Sequence, residues 1–263
     1  MAGVSLVLDG KVALITGGSR GIGAETVRLF AQAGARVAFS YEKARERAEA
    51  LAAECGGSER CVAIQQELST PEHGRALVSA AVRAFGRLDA LVANHGIWEP
   101  TDAPIASMEE AQWRRTLGVN LDSVFGLVQA AVGQMESQPR GADGIAGHIV
   151  LISSTAGQRG EAFHADYAVT KGALISLTKS LSSELAGKGI RVNCVAPGWV
   201  STEMSAGTLT DAELGPRIAA GIPVGRAGHA REIAGPVLFL CTPLAGFISG
   251  EVLNVNGGAV LAG

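Results

Sequence analysis

Short apolar runs alternate with longer amphipathic stretches along almost the whole chain. The runs are continuously apolar, which is typical of strands buried on both faces of a parallel sheet. Such strands are predicted at residues 11–16, 36–40, 61–65, 89–94, 148–153, 191–196 and 251–255. The helical spacing of apolar positions between them predicts helices over residues 22–33, 42–55, 72–85, 108–136, 166–187 and 231–242.

This alternation predicts an α/β fold built from strand–helix–strand units. Such units form a doubly wound seven-stranded parallel sheet with helices on both faces. No linker divides the sequence, so we expect a single domain over residues 1–263. Residues 137–147 read as a polar, glycine-rich loop before a strand, and residues 201–225 are the longest segment that fits no strand.

A glycine-rich loop follows the first predicted strand. The sequence VALITGGSRGIG breaks at Gly17, Gly18, Gly21 and Gly23 and then continues as a helix. Glycine is needed where backbone turns tightly and approaches a pyrophosphate, and the N–H groups that begin the next helix attract phosphate. The position between a strand and a helix distinguishes this loop from an ordinary turn. It therefore predicts a Rossmann fold that binds a dinucleotide.

The end of the second predicted strand bears on the choice between NAD and NADP. NAD-binding sites usually place an acid there to hold the ribose 2′-OH, whereas this chain has Ser40 and Tyr41. Arg20 in the glycine loop and Lys43 would meet a 2′-phosphate, although Glu42 would repel it if its side chain pointed inward. NADP(H) is therefore favoured, with NAD(H) as the alternative.

Charge and composition exclude other classes of function. The chain is 47% hydrophobic, with a net charge of −3 and a pI near 6.0. It therefore lacks the basic surface that binds nucleic acid or an anionic membrane. No signal peptide or membrane-length apolar run is evident. The four cysteines and five histidines lack metal-ligand spacing, so we expect no metal site and reduced thiols in a cytoplasmic protein.

The segment DYAVTK places Tyr167 and Lys171 four residues apart, on one face of a helix. The ordinary pKa of tyrosine, about 10, is too high for efficient proton exchange at neutral pH. A neighbouring ammonium group would stabilise the phenolate and lower that pKa, and the positive charge of an oxidised nicotinamide would add to the shift. The pair thus predicts a general acid in reduction and base in oxidation, whereas the simpler interpretation is a solvated surface pair.

These motifs, in order over residues 10–258, resemble those of the short-chain dehydrogenase/reductase (SDR) family. TGGSRGIG matches the spacing of its glycine loop, and LVANHGI resembles its NNAG segment, with Ala93 and His95 as departures. YxxxK follows Ser154 with the expected spacing, APGWVSTEM matches the PG motif, and ISGEVLNVNGG matches the C-terminal signature, with Asn256 where the family often has Asp. The pattern is most similar to the 3-oxoacyl-[acyl-carrier-protein] reductases and related ketoreductases.

The resemblance implies that Asn120, Ser154, Tyr167 and Lys171 form the catalytic set. Ser154 would hydrogen-bond the substrate oxygen, with the adjacent Ser153 as an alternative. Lys171 would also hold the nicotinamide ribose. Asn120 would hold a water linked to Lys171, and its plainer role is packing or bonding to backbone.

The resemblance and the glycine loop together imply a set of cofactor-binding residues. They are Gly17, Ser19, Arg20, Gly21, Ile22, Gly23, Tyr41, Asn94, Gly96, Tyr167, Lys171, Pro197, Gly198, Val200 and Thr202. Glu67 stands where the family usually has an aspartate that contacts adenine. Open α/β sheets bind ligands beyond the carboxyl ends of their strands, where the candidate substrate-pocket residues are His95, Trp98, Gln158, Phe163 and His164. The last four of these could equally be packed away from the pocket, and a lone histidine such as His95 is more often only a hydrogen-bonded part of the structure. Residues 201–225 would form a lid.

The expected activity is NADP(H)-dependent reduction of a ketone or 3-oxoacyl-type carbonyl to a secondary alcohol, with Tyr167 as general acid/base. One alternative is an NAD-dependent secondary-alcohol or sugar dehydrogenase. Another is a non-catalytic dinucleotide sensor, which would typically have lost the tyrosine or the lysine. Oligomer surfaces of the family are similar to the apolar final stretch and to helices 108–136 and 166–187, so we expect a homotetramer. We also expect a small-molecule carbonyl or alcohol substrate.

Overall fold

The protein, seen in a computed structural model that describes residues 5–141 and 143–261, is built on one parallel sheet. Its strands are β1 (Val12–Ile15), β2 (Arg36–Tyr41), β3 (Cys61–Gln65), β4 (Ala90–Ala93), β5 (Gly147–Ile152), β6 (Ile190–Pro197) and β9 (Val252–Val255). They lie in the order β3-β2-β1-β4-β5-β6-β9. A separate two-stranded ladder joins β7 (Val200–Ser201) to β8 (Gly228–His229).

Helices cover both faces of the sheet. They are α1 (Gly21–Gln32), α2 (Arg45–Glu54), α3 (Pro71–Phe85), α4 (Glu110–Leu117), α5 (Ser123–Ser137), α6 (Thr155–Arg159), α7 (Ala165–Leu185), α8 (Ala206–Thr210), α9 (Leu214–Ala220) and α10 (Ala230–Leu240). A π-helical turn, Gly118–Asp122, joins α4 to α5, and short 3-10 turns occupy Gly57–Glu59, Ala186–Lys188 and Pro243–Ala245.

The core is divided into two layers by the sheet. Successive strand residues point to opposite faces, so Leu14 packs in one buried cluster with Leu77 of α3 and Leu127 of α5, and Ile15 packs in the other, with Phe30 of α1. The continuous apolar runs of the sequence arise because both faces are covered. The predicted doubly wound fold is confirmed.

Some predicted boundaries were wrong. The single helix predicted over residues 108–136 is interrupted by the π turn, and the helix predicted over residues 42–55 begins only at Arg45. Residues 201–225 start with the end of β7 and contain α8 and α9. The short helix α6 was not predicted, since five residues are too few to show a helical period.

Candidate active site

A cavity of about 810 Å³ lies at the carboxyl ends of the central strands. It is lined by residues that follow four of them within two positions: Gly17 after β1, Asn94 after β4, Ser153 after β5 and Gly198 after β6. The strand order reverses between β1 and β4, and ligands of open α/β sheets bind at such a switch point.

The glycine loop forms one wall of this cavity, and its shape fits a pyrophosphate. Gly17 and Gly21 adopt positive φ angles of 64° and 55°. A Cβ on Gly23 would lie 2.1 Å from the Gly17 carbonyl oxygen, so only glycine allows the loop to close this tightly. Helix α1 begins at Gly21 with no acidic side chain in its first turn, and its N-cap Arg20 makes no side-chain cap. The first N–H groups of α1 are therefore available to a phosphate.

Ser153 and Ser154, at the end of β5, have different surroundings. The Ser153 hydroxyl is buried and donates to the Lys171 carbonyl oxygen at 2.7 Å. Ser154 is the N-cap of α6, where its Oγ accepts a hydrogen bond from the Ala156 N–H at 3.1 Å. Ser154 also acts on the Tyr167 phenol, whose pKa it lowers, and both side chains line the cavity. Of the two serines, Ser154 has the hydroxyl placed beside the phenol.

Tyr167 and Lys171 both line the cavity from α7, but their pKa values move in directions that spacing alone did not predict. Burial raises the pKa of Tyr167 to about 12, the Ser154 hydrogen bond acts to lower it, and the charge of Glu161 raises it further. Burial lowers the pKa of Lys171 to about 8. Its Nζ donates to the Ile152 carbonyl oxygen at 2.8 Å and lies 5.6 Å from the centroid of the Tyr167 ring. The expected lowering of the tyrosine pKa by Lys171 is therefore wrong, because burial dominates.

Asn120 lies in the π turn, with its side chain buried just behind the cavity. Its Oδ1 accepts from the Ile97 N–H at 2.8 Å, and its Nδ2 donates to the Ile97 carbonyl oxygen at 2.9 Å. A Cβ on Gly96 would lie 3.2 Å from Asn120 Oδ1 and 3.4 Å from Lys171 Nζ. These three residues therefore converge, and the wider turn is what carries Asn120 to that point.

His95 connects the end of β1 to the π turn by hydrogen bonds. Its Nδ1 lies 2.7 Å from the Thr16 hydroxyl, and its Nε2 lies 2.8 Å from the Ser123 hydroxyl and 3.0 Å from the Val119 carbonyl oxygen. Burial lowers the pKa of His95 to about 3, with the charge of Lys171 adding to the effect. A neutral ring with both nitrogens bonded in this way serves to connect structure, although His95 also lines the cavity.

The predicted substrate end of the cavity contains aromatic side chains and the carboxyl group of Glu161. Trp98 stacks on His164 with ring centroids 5.0 Å apart and meets Trp199 edge-on at 6.0 Å. Trp98, Trp199 and Glu161 line the cavity, whereas the buried His164 lies behind Trp98. Burial raises the pKa of Glu161, while His164, Trp98 and Arg159 act to lower it. Trp199 and Glu161 were not predicted, because no local pattern marks them.

Two further predicted pocket residues, besides His164, are not on the cavity wall. The Gln158 amide donates to Asn254 Oδ1 at 2.6 Å, which directs its side chain towards β9. Phe163 is half exposed and has a φ of 65°, and its carbonyl oxygen accepts from the Ala103 N–H. Their position in a loop beyond the sheet was the reason for including them, and side-chain direction cannot be derived from that position.

The other end of the cavity carries charged groups around the predicted adenosine site. Arg20 Nη1 lies 3.1 Å from Glu203 Oε2, and Arg47 of α2 pairs with the same carboxylate. Neither Arg47 nor Glu203 was predicted. Lys43 pairs instead with its neighbour Glu42 at 3.2 Å.

Most of the predicted cofactor-binding residues share the cavity wall, and Gly23 lies directly behind it in the glycine loop. Those on the wall are Gly17, Ser19, Arg20, Gly21, Ile22, Tyr41, Asn94, Gly96, Tyr167, Lys171, Pro197, Gly198, Val200 and Thr202. Glu67 is also on the wall, where its carboxylate accepts from the Ser69 hydroxyl at 2.8 Å. Nearly the whole sequence-derived set is thus brought to one cavity.

Over residues 5–141 and 143–261, no group of three or more His, Cys, Asp or Glu side chains could hold a metal ion. In the same part of the chain, every helix is too short or too polar to cross a membrane. The four cysteines are free thiols.

Comparison with known proteins identifies the family. A family model described as Enoyl-(Acyl carrier protein) reductase matches residues 17–260. The chain is 38% identical to the 3-oxoacyl-[acyl-carrier-protein] reductase FabG of Staphylococcus aureus, over 94% of this chain and 97% of that protein.

Two solved structures are similar over nearly their whole length. A short-chain dehydrogenase/reductase from Brucella melitensis, described as a glucose/ribitol dehydrogenase, superposes with a TM-score of 0.88 at 35% identity, covering 98% of this chain and all of that one. A metagenomic blue fluorescent protein in complex with NADPH has a TM-score of 0.86 at 36% identity. The superposition covers 97% of this chain and 99% of that one. The chain therefore belongs to the short-chain dehydrogenase/reductase family and is an oxidoreductase.

Proposed function

We propose that the protein is an NADP(H)-dependent reductase that converts a ketone or 3-oxoacyl-type carbonyl to a secondary alcohol. The observation that carries this proposal is the Ser154–Tyr167 pair on the wall of a cavity whose opposite end is a glycine loop shaped for a pyrophosphate. The similarity to a 3-oxoacyl-[acyl-carrier-protein] reductase supports the carbonyl class. Arg20 and Arg47 and the NADPH complex of a similar structure support the phosphorylated cofactor.

The dinucleotide, when bound, supplies the hydride. Ser154 donates a hydrogen bond to the substrate oxygen and stabilises the negative charge that develops there. Tyr167 transfers its proton to that oxygen, and a raised pKa keeps the phenol protonated before the transfer. Lys171 would hold the nicotinamide ribose, and Asn120 would orient a water that returns a proton through Lys171. Residues 201–225 would close over both ligands.

Tyr167→Phe tests the chemical step. It should reduce kcat for ketone reduction with NADPH by about 10²–10⁴-fold, the usual contribution of a general acid. Calorimetry should show NADPH binding within about three-fold of the unmodified protein, since the phenyl ring is kept. Unchanged turnover in this variant would contradict the assignment of Tyr167. NADPH binding without turnover on any ketone in the unmodified protein would favour a sensor.

A second candidate is an NAD-dependent secondary-alcohol or sugar dehydrogenase. Glu161 beside Trp98 and Trp199 favours it, because a carboxylate accepts hydrogen bonds from sugar hydroxyls and indole rings stack on sugar faces. The similarity to the structure described as a glucose/ribitol dehydrogenase points the same way. The ratio of kcat/KM with NADPH to that with NADH, measured on ketones and on polyols, separates the two.

The proposal includes a cytoplasmic homotetramer of single-domain subunits. Free thiols at all four cysteines are consistent with a reducing compartment. Phe125 on α5 and Val169 on α7 are each about half exposed, and subunit contacts would cover such apolar side chains. Light scattering in solution would measure the mass of the oligomer and so the number of subunits. A monomeric mass would contradict the proposed homotetramer.

A further inference from the structure

The beginning of the segment 201–225 rests directly on the glycine loop. Thr202 Cγ2 lies 3.3 Å from the position that a Cβ on Gly21 would take. Ser205 stabilises the turn that starts there. Its hydroxyl donates a hydrogen bond to the Val200 carbonyl oxygen, and its N–H donates to the Thr202 carbonyl oxygen at 3.2 Å. This turn fixes the backbone of Glu203 above the loop.

Glu203 connects this turn to two arginines that come from different elements. Its Oε2 pairs with Arg20 at the N-terminus of α1, and its Oε1 pairs with Arg47 of α2. Hydrogen bonds from Arg47 and Arg20 lower the pKa of Glu203, so the carboxylate stays charged at neutral pH. All three side chains are at least half exposed. Arg20 and Glu203 line the cavity, and Arg47 lies directly behind them through its pair with Glu203, so a ligand that displaces this carboxylate would meet both arginines.

Neighbouring cations already have partners of their own. Lys43 pairs with Glu42 at 3.2 Å, and Arg45 pairs with Glu49 at 3.4 Å and donates to the Gln65 amide oxygen at 2.7 Å. Arg20 and Arg47 differ because their shared partner comes from the lid segment. Replacing that partner would therefore free the lid as well as the two cations.

We propose that Glu203 is an internal anion that occupies the arginine pair Arg20–Arg47 until the 2′-phosphate of NADP(H) displaces it. This inference rests on the proposed use of NADP(H). A carboxylate and a phosphate monoester both offer oxygens that pair with guanidinium groups. NADP(H) must therefore break the link between the lid and the cofactor loop, whereas NAD(H), which carries a ribose 2′-OH, leaves it in place. Glu203 thereby reduces the preference for NADP(H) and makes lid release depend on the 2′-phosphate.

The test compares Glu203→Gln with Glu213→Gln, which removes an exposed charge from the same segment. Glu213 pairs with Arg217 and not with the arginine pair. Calorimetry would measure Kd for 2′,5′-ADP, 5′-AMP, NADPH and NADH at low ionic strength, where exposed ion pairs are strongest. In Glu203→Gln, Kd for 2′,5′-ADP and NADPH should fall by about three- to ten-fold, the size expected for two exposed ion pairs. Kd for 5′-AMP and NADH should change by less than about two-fold. Glu213→Gln should leave all four values unchanged.

Hydrogen exchange gives a second readout that does not depend on turnover. Amides of residues 202–210 should exchange faster in Glu203→Gln than in the unmodified protein, and 2′,5′-ADP should produce the same acceleration in the unmodified protein. Equal tightening of all four ligands in Glu203→Gln, or no tightening at all, would overturn the proposal.

Arg20→Met and Arg47→Met separate this inference from the proposed cofactor. Both variants should weaken the binding of 2′,5′-ADP more than the binding of 5′-AMP. If neither does, the assignment of the 2′-phosphate fails and the inference about Glu203 fails with it. If both do so while Glu203→Gln has no effect on either ligand, the NADP(H) assignment stands and the role of Glu203 alone is refuted.

Discussion

The immediate surroundings of Tyr167 determine which protonation state enters the reaction. Burial raises the pKa of the phenol to about 12, so the ring is neutral at pH 7 and ready to give a proton. Two neighbours adjust this value in opposite directions, because the Ser154 hydroxyl stabilises the phenolate and the Glu161 carboxylate destabilises it. Glu161 thus links the substrate end of the cavity to the proton donor.

Glu161→Gln should shift the pH dependence of reduction. Removing a negative charge beside Tyr167 lowers the pKa of the phenol. Reduction needs the protonated phenol, so kcat/KM falls as the pH rises through this pKa, and in the variant the fall should begin at lower pH. The measurement is kcat/KM for a neutral ketone with NADPH in short assays between pH 8 and pH 12.5, so that the series contains the pKa of about 12.

Glu99→Gln is the matched control for that experiment. Glu99 is exposed next to Trp98 and is not among the groups that shift the pKa of Tyr167. Its pH profile should superpose on that of the unmodified protein. A profile of Glu161→Gln that also superposes would show that Glu161 does not act on the phenol.

At the scale of secondary structure, the site depends on how closely α6 approaches α7. A Cβ on Gly157 of α6 would lie 2.5 Å from the Lys171 carbonyl carbon and 2.7 Å from the Gly172 nitrogen. Both contacts are to backbone, which cannot rotate away. This close contact holds Ser154, the N-cap of α6, against the turn of α7 that carries Tyr167 and Lys171.

Gly157→Ala should therefore separate the two helices. The expected loss in the free energy of unfolding is about 1–3 kcal/mol, the usual cost of overpacking, together with a lower kcat because Ser154 moves away from Tyr167. Gly133→Ala on α5 is the control, since its added methyl group meets nothing within 4 Å and alanine favours a helix. Urea unfolding and steady-state kinetics on both variants measure the difference. Equal stability of the two would contradict the packing argument.

Sequence patterns predicted the elements well and the contacts between distant residues poorly. Buried parallel strands and a strand–glycine–helix unit leave local signatures, so the sheet and its switch point were predictable. The π turn was not, because no local pattern marks it, and the hydrogen bonds that Asn120 makes there join it to the Ile97 backbone 23 positions away. Glu203 pairs with Arg20 across 183 positions, and no local spacing contains that information. The pKa of Tyr167 was assigned the wrong direction since burial cannot be derived from i,i+4 spacing.

Across the whole molecule, two histidines with lowered pKa values lie at opposite ends of the neighbouring strands β4 and β5, the buried His148 and the partly buried His95. His148, near the start of β5, has an Nδ1 without a partner in the described part of the chain, and burial lowers the pKa of its ring to about 4. His95, beyond the end of β4, has a pKa lowered to about 3. Both rings are neutral in the folded protein, whereas the unfolded chain takes up protons near pH 6.5. Their contribution to stability is complete above that pH and is lost as the pH falls towards 4.

The unfolding free energy should consequently fall between pH 7 and pH 5. Each of these two histidines contributes about 2 kcal/mol to this loss, because the unfolded state binds a proton that the folded state does not. His148→Gln removes one titrating group, so the difference between pH 7 and pH 5 should shrink by about that amount, whatever the substitution costs at pH 7. Urea unfolding at both pH values, at one protein concentration, gives the two differences directly. If His148→Gln loses as much stability as the unmodified protein between these pH values, His148 is not held neutral by burial, and the acid sensitivity must come from other groups.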